Sequence, residues 1–167
     1  MKEYIAIILI IFFLIILSET KIKLGMEKFD QLSCAAHLKS IYDSIQTSLE
    51  ANPDLFSQSS PQPWYTMLNI NPDYLKCPKV YNKNKKSNNT ITCDYSINSK
   101  VYDDLKQKNN IFAKYHKRVF ILDSEPDPTN FNIFPIVNPD FRHSDGCNIL
   151  LIDGTVIWSE KEDFTGN

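Results

Sequence analysis

Three observations predict an α+β domain, a long N-terminal helix packed on an antiparallel β-sheet. No proline interrupts residues 4–51. From Met26 to Leu49 apolar side chains recur at three- and four-residue steps, the period of a helix with one buried face. Near the C-terminus Asp153-Gly154 joins two apolar runs, Ile149–Ile152 and Thr155–Trp158, which is a strong short-range hairpin signal.

The helix is read first. Tyr4–Leu17 is an uninterrupted apolar run of fourteen residues, followed by Ser18-Glu19-Thr20-Lys21. That is the length of an export signal's core and short of the about twenty residues that span a bilayer. No small-x-small cleavage site follows, and the helical pattern continues, which favours an uncleaved anchor. Either reading exports the remainder. In the amphipathic half Met26, Phe29, Leu32, Ala35, Leu38, Ile41, Ile45 and Leu49 form the apolar stripe, with Lys28, Lys39, Asp43 and Glu50 opposite. Asn52-Pro53 ends it, because the residue before proline is driven out of helical geometry.

Residues 54–63, rich in Ser and Pro, form a loop. Trp64–Leu68 reads as a short helix or turn, and Asn82–Asn89 as an exposed polar tip. Thr90–Ile97 alternates as a strand, and Val101–Leu105 suggests a helical turn. Arg118–Leu122 has the composition of a buried strand, and Ile133–Val137 approaches the final meander, with Pro139 at an edge. Pairing outward from Asp153-Gly154 sets Ile152 against Thr155, Leu151 against Val156, Leu150 against Ile157 and Ile149 against Trp158. Both faces of that ribbon are then apolar. Ser144-Asp145-Gly146 offers a second tight turn.

The 18 basic and 20 acidic side chains leave a net charge of -2, so no basic stripe exists to displace counterions from nucleic acid. Cys34, Cys77, Cys93 and Cys147 permit two disulfides in an oxidising compartment, with three connectivities. Cys34 with Cys77 and Cys93 with Cys147 is the preferred pairing, the second on neighbouring strands. Their spacing fits no zinc site, since there is no CxxC and the three histidines are scattered.

His143 and Asp153 invite an acid–base reading. A strand at about 3.3 Å per residue separates them by nearly 20 Å, however, and places His143 at the far end of the sheet near Asp145, Glu160 and Glu162. A structural hydrogen bond is expected of His143. Asp123, Glu125 and Asp127 alternate beside Asn130 and are weak candidates for Ca²⁺, lacking the Gly turn and terminal Glu of a helix-loop-helix site. With no GxSxG and only 4 glycines, no catalytic residue and no cofactor is assigned, and no enzyme is expected.

His143, nine residues, then Asp153-Gly154 resembles the C-terminal signature of bacterial prepilin-type, H-X9-DG-containing proteins, relatives of type II secretion pseudopilins. Ser33–Ile41 looks like that family's helix motif, Leu75-Lys76-Cys77-Pro78 is similar to its Cys-Pro motif, and Cys93–Asn98 to its Tyr-x-x-Asn strand. The resemblance spans residues 33–158 and implies a pilin-like fold. It divides the chain into a hydrophobic anchor helix, residues 1–25, and a globular head, residues 26–167, that includes the amphipathic half of the helix. Met1–Ile10 lacks both the peptidase-site Gly and the Glu inside the apolar run, a departure that argues against prepilin processing.

The resemblance implies a membrane-anchored, pseudopilin-like structural protein of the cell envelope, in a type II secretion or type IV pilus-like assembly. Its partners would be the membrane, through a single N-terminal helix, and other pilin-like subunits. Its place would be the bacterial inner membrane, single-pass, with the head in the periplasm or at the cell surface. The alternative is an exported module binding a glycan or peptide through Trp64, Tyr65 and nearby loops.

Overall fold

The structure is a computed structural model and describes residues 2–57, 62–83, 93–107, 111–115, 117–125, 127, 133–134 and 138–164, with the side chains of residues 2–6, 81–83, 113–114 and 134 left aside. One helix, α1, runs over Lys2–Ala51. With no proline inside it the ladder has no reason to break, and it stops where predicted, at Asn52-Pro53. There Asn52 N–H still donates to Ser48 O, and the Asn52 side chain accepts from Asp54 N–H at 3.1 Å.

Short 3-10 turns follow at Trp64–Met67 and Pro72–Leu75, then helix α2 at Pro78–Lys83, strand β1 at Tyr95–Asn98, helices α3 at Ser99–Lys106 and α4 at Ile111–Lys114, and strand β2 at Val119–Asp123. Strands β3 at Ile133–Phe134, β4 at Gly146–Leu151 and β5 at Val156–Glu160 complete one sheet in the order β3-β1-β2-β4-β5. Four strands pair antiparallel, and the short β3 joins β1 in parallel. The architecture is α+β as expected, a long N-terminal helix on an antiparallel sheet. Asn98 ends β1 and also caps α3, its side chain accepting from Lys100 N–H at 3.0 Å.

The sheet buries both faces. Leu38, Ile41 and Ile45 of α1 pack with Tyr95, Ile97, Phe120, Leu150 and Ile152, and Phe56, Trp64, Tyr65 and Leu75 fill the edge of this core. On the other face Val119, Leu122, Cys147, Ile149 and Leu151 lie beneath Phe141 and Phe164. Trp64 is 1% exposed and Tyr65 2%, so neither is available to stack on a glycan.

The helix meets the head later than its periodicity predicts. Met26, Phe29 and Leu32 are 65%, 70% and 58% exposed, and the first wholly buried position is Cys34. Turning about 100° per residue, Cys34, Leu38, Ile41 and Ile45 share the face toward the sheet. Phe29 and Leu32 fall roughly opposite, Ile22 lies about 130° round and Met26 about 90°, on the flank.

The expected transmembrane anchor is corrected. Among the described residues no helix is long and apolar enough to cross a membrane. The apolar run closes at Leu17 and Glu19, Lys21 and Lys23 follow within two turns. Fourteen residues at about 1.5 Å each reach about 21 Å, against a hydrocarbon core of about 30 Å. The single-pass inner-membrane placement and the membrane as a partner through that helix fall with it.

The final hairpin is also corrected, by one residue of register. Leu150 pairs with Val156, Ile149 with Ile157 and Asn148 with Trp158. Leu151 N–H donates to Thr155 O at 2.8 Å and Gly154 N–H to Leu151 O at 3.0 Å, which makes a three-residue loop with Gly154 at φ 83°. That is a type I turn closed by a left-handed glycine, not a two-residue turn. One step of slip exchanges faces; β5 lies last in the sheet order and is therefore an edge strand, with Ile157 and Trp158 partly exposed. The polar tip expected at residues 82–89 falls mainly outside the described residues, as do 90–92, 130 and 135–137.

Candidate functional site

Four elements meet at the end of the sheet away from the Asp153-Gly154 loop. Strand β2 ends there on Asp123, β4 begins there with Gly146, Cys147 and Asn148, α1 passes over it at Gln31 and Cys34, and Cys77 lies between the second 3-10 turn and α2. His143 enters through a tight turn in which its N–H donates to Gly146 O and Gly146 N–H donates to its O, both at 3.0 Å. Two-residue turns of this kind need positive φ at both central positions, and Ser144 at 52° and Asp145 at 60° supply it. Gly146 is required for a different reason, since a Cβ there would stand 2.4 Å from the Trp158 ring. Trp158 Nε1 donates to His143 O at 3.1 Å, which fixes the turn over the strand.

Cys34 and Cys77 form a disulfide with Cα atoms 5.4 Å apart, as expected. His143 Nε2 stands 3.3 Å from Cys77 Sγ and 3.8 Å from Asp123 Oδ2. Asn148 donates its main-chain N–H to that oxygen at 2.7 Å and its side-chain amide at 3.1 Å. The same amide reaches Gln31 O on α1 at 3.3 Å. Asp94 performs a matching task at the neighbouring strand, accepting Cys77 N–H at 2.8 Å. Above the site Lys79 pairs with Glu27, and Glu27 also accepts Ser144 N–H at 3.3 Å.

Burial governs the charges. It pushes the Asp123 carboxyl up to about 7, against the lowering pull of Arg142 and the Asn148 hydrogen bonds. It holds His143 down at about 4, helped by the positive charges of Arg142 and Lys79. The Asp123–His143 contact is therefore not a full ion pair at neutral pH, because the imidazole is uncharged. Cys147, on the opposite face of the sheet, is pushed up to about 12 by burial. Arg142 is committed to Asp140 at 2.9 Å and to Ser124 O.

The candidates divide accordingly. His143 and Asp153 lie at opposite ends of β4, as the strand length requires. Asp153 accepts Thr155 N–H at 2.9 Å, and Gly154 turns under Tyr42, whose ring stands 2.7 Å from where a Cβ would sit. The carboxylate beside His143 is Asp123, not the expected Asp145, Glu160 or Glu162. Those three follow the chain order of the hairpin, whereas Asp123 arrives by pairing of β2 with β4.

Cys93 and Cys147 are buried thiols and not bridged to each other. Strand β2 separates β1 from β4, and two strand spacings come to about 9.6 Å, beyond the 7 Å a disulfide spans. Cys93 also belongs to the helix-side core and Cys147 to the other. Asp123, Glu125 and Asp127 do not gather, since Asp123 is buried and Glu125 points outward, accepting from Asn138 at 3.3 Å. Among the described residues the one grouping with metal-ligand spacing is Cys34, Cys77 and His143.

Sequence reasoning missed Asp94, Asp123 and Asn148 as members of the site. One signal was present. Asn148 interrupts an otherwise apolar strand, and a buried amide in such a place needs a partner.

Compared with family models, with curated proteins and with solved structures, the chain matches none.

Proposed function

We propose that this protein is a pilin-like structural subunit whose protruding helix packs against the helices of further copies. One observation carries the reading: the apolar side chains Ile22, Met26, Phe29 and Leu32 are more than half exposed, and at about 100° per residue they cover the flank and far side of α1 rather than the face toward the sheet. Isolated exposed apolar residues are ordinary, but a continuous helical stripe leading into the all-apolar segment Ile7–Leu17 is a surface that seeks cover. The long helix on an antiparallel sheet and the landmarks from Ser33 to Asp153-Gly154 support a pseudopilin-like assembly in particular. The chain lacks the carboxylate that such subunits carry inside the apolar run, so packing between copies rests on apolar contact. The head contributes a rigid end, held to α1 by the Cys34–Cys77 bridge.

The test is photo-crosslinking of the full chain. A photoreactive phenylalanine analogue at Phe29 gives covalent homo-oligomers, and the same group at Lys39, on the exposed side of the head-bound part of α1, gives fewer. Monomeric product only from position 29, together with a monomer in sedimentation at every concentration, would overturn the reading.

A further inference from the structure

His143 is sealed from solvent, yet neither ring nitrogen has the partner that a buried imidazole ordinarily keeps. Nδ1 meets no hydrogen-bonding atom. Nε2 faces Cys77 Sγ at 3.3 Å, and a disulfide sulfur is a weak acceptor with no proton to give. Asp123 Oδ2 is 3.8 Å away, beyond a hydrogen bond. The bridged state therefore leaves this ring's best nitrogen almost unused.

Opening the bridge changes its surroundings. A dithiol reductant attacks one sulfur, the S–S bond breaks with its electron pair going to the other sulfur, and the reductant closes to its own disulfide. Cys34 and Cys77 are left as thiols. The two sulfurs and Nε2 of His143 lie within 4.8 Å of one another, all buried. They come from α1, from the segment before α2 and from the turn before β4, positions 43 and 66 residues apart in sequence.

We propose that the reduced protein binds one zinc ion through Cys34 Sγ, Cys77 Sγ and His143 Nε2. Zinc holds sulfur at about 2.3 Å and nitrogen at about 2.0–2.1 Å in a tetrahedron, which sets donor atoms about 3.3–3.8 Å apart. The Cys77 Sγ–His143 Nε2 pair, at 3.3 Å, lies close to that separation. Charge selects the ion. Zinc displaces two thiol protons to solvent, and two thiolates with a neutral imidazole leave a dication site with no net charge, the arrangement burial tolerates best. A monovalent ion would leave a buried negative charge, and magnesium or calcium would want oxygen donors instead. An imidazole ligates only through an unprotonated nitrogen.

The experiment uses the full chain, reduced with a dithiol under nitrogen and freed of reductant, then labelled with a thiol alkylator with and without zinc and mapped by peptide mass. The expected result is one zinc per reduced chain, none on the oxidised chain, and alkylation of Cys34 and Cys77 slowed at least tenfold by zinc while Cys93 and Cys147 are unaffected. His143→Gln weakens zinc binding at least tenfold. Cobalt in place of zinc gives thiolate-to-metal charge-transfer absorption in the wild type. Equal labelling of all four cysteines with and without zinc overturns the proposal, as does equal zinc uptake by the oxidised chain. The labelling is done on the native sequence and so does not depend on the variant folding.

Discussion

Asn148 donates both its main-chain N–H and its side-chain amide to a single oxygen of Asp123, at 2.7 and 3.1 Å. The pair fastens the end of β2 to the start of β4, and through Gln31 O it fastens both to the helix. Because Asp123 is buried beside an uncharged His143, the two groups bias stability in opposite senses with pH.

Asp123 titrates at about 7 when folded against 3.8 as a free side chain, so its contribution is present below about pH 4 and lost as pH rises through 7. His143 titrates at about 4 against 6.5, so its contribution is present above about 6.5 and lost as pH falls through 4. Between these limits the slopes oppose. In oxidised protein, Asp123→Asn should make stability rise more steeply with pH than in the wild type, and His143→Gln should make it fall. Each change in slope is at most about 1.4 kcal/mol per pH unit. Urea midpoints at pH 4.5 and 6.5 check this, and slope changes of the same sign in both variants would refute it.

The disulfide closes a loop across a sequence separation of 43. Chain entropy assigns such a closure about 4 kcal/mol. Cys34→Ala with Cys77→Ala should lower unfolding stability by about 2–4 kcal/mol, measured by denaturant titration. A loss below about 1 kcal/mol would mean that the unfolded chain is already confined.

Glycine substitutions should separate two causes. Gly146→Ala drives a methyl into Trp158 and the Ser159 carbonyl, 2.4 and 2.6 Å away, and should cost about 1–3 kcal/mol as overpacking. Trp158→Ala should rescue part of that loss. Gly154→Ala meets a φ of 83° as well as Tyr42, so removing the Tyr42 ring should leave about 1 kcal/mol of backbone strain unrelieved. Double-variant cycles read the difference.

Along α1, Leu38→Ala should cost about 2–5 kcal/mol, because the side chain is fully buried in the helix-side core. Phe29→Ser and Met26→Ser should change monomer stability by about 0.5 kcal/mol or less and should reduce self-association. Thermal melts and sedimentation of the same variants distinguish the two faces of one helix.

Local signals carried much of this fold. The proline-free stretch and its stop at Asn52-Pro53 defined the helix, and the apolar runs located β2 and β4. Hairpin register was not legible, because Asp-Gly serves a two-residue turn and also the three-residue loop in which only Gly154 needs positive φ. The amphipathic period ran on through Met26, Phe29 and Leu32, since the sequence pattern does not show which apolar stripe faces the head. Asp123 could not be placed beside His143 from spacing, because that contact depends on the order of strands in the sheet. The same limit hid the meeting of Cys34, Cys77 and His143.

The first 25 residues of α1, residues 2–26, project about 38 Å beyond Glu27, where the helix is first tied to the head among the described residues. Mechanically this is a cantilever, and its root runs from Glu27 to Cys34. Any load on the rod is delivered to the one turn that is covalently riveted to Cys77, and from Cys77 N–H it passes through Asp94 into the sheet. The Glu27–Lys79 pair braces the rod two turns further out. A pull on the helix therefore stresses the strand ends before it can peel the helix from its core.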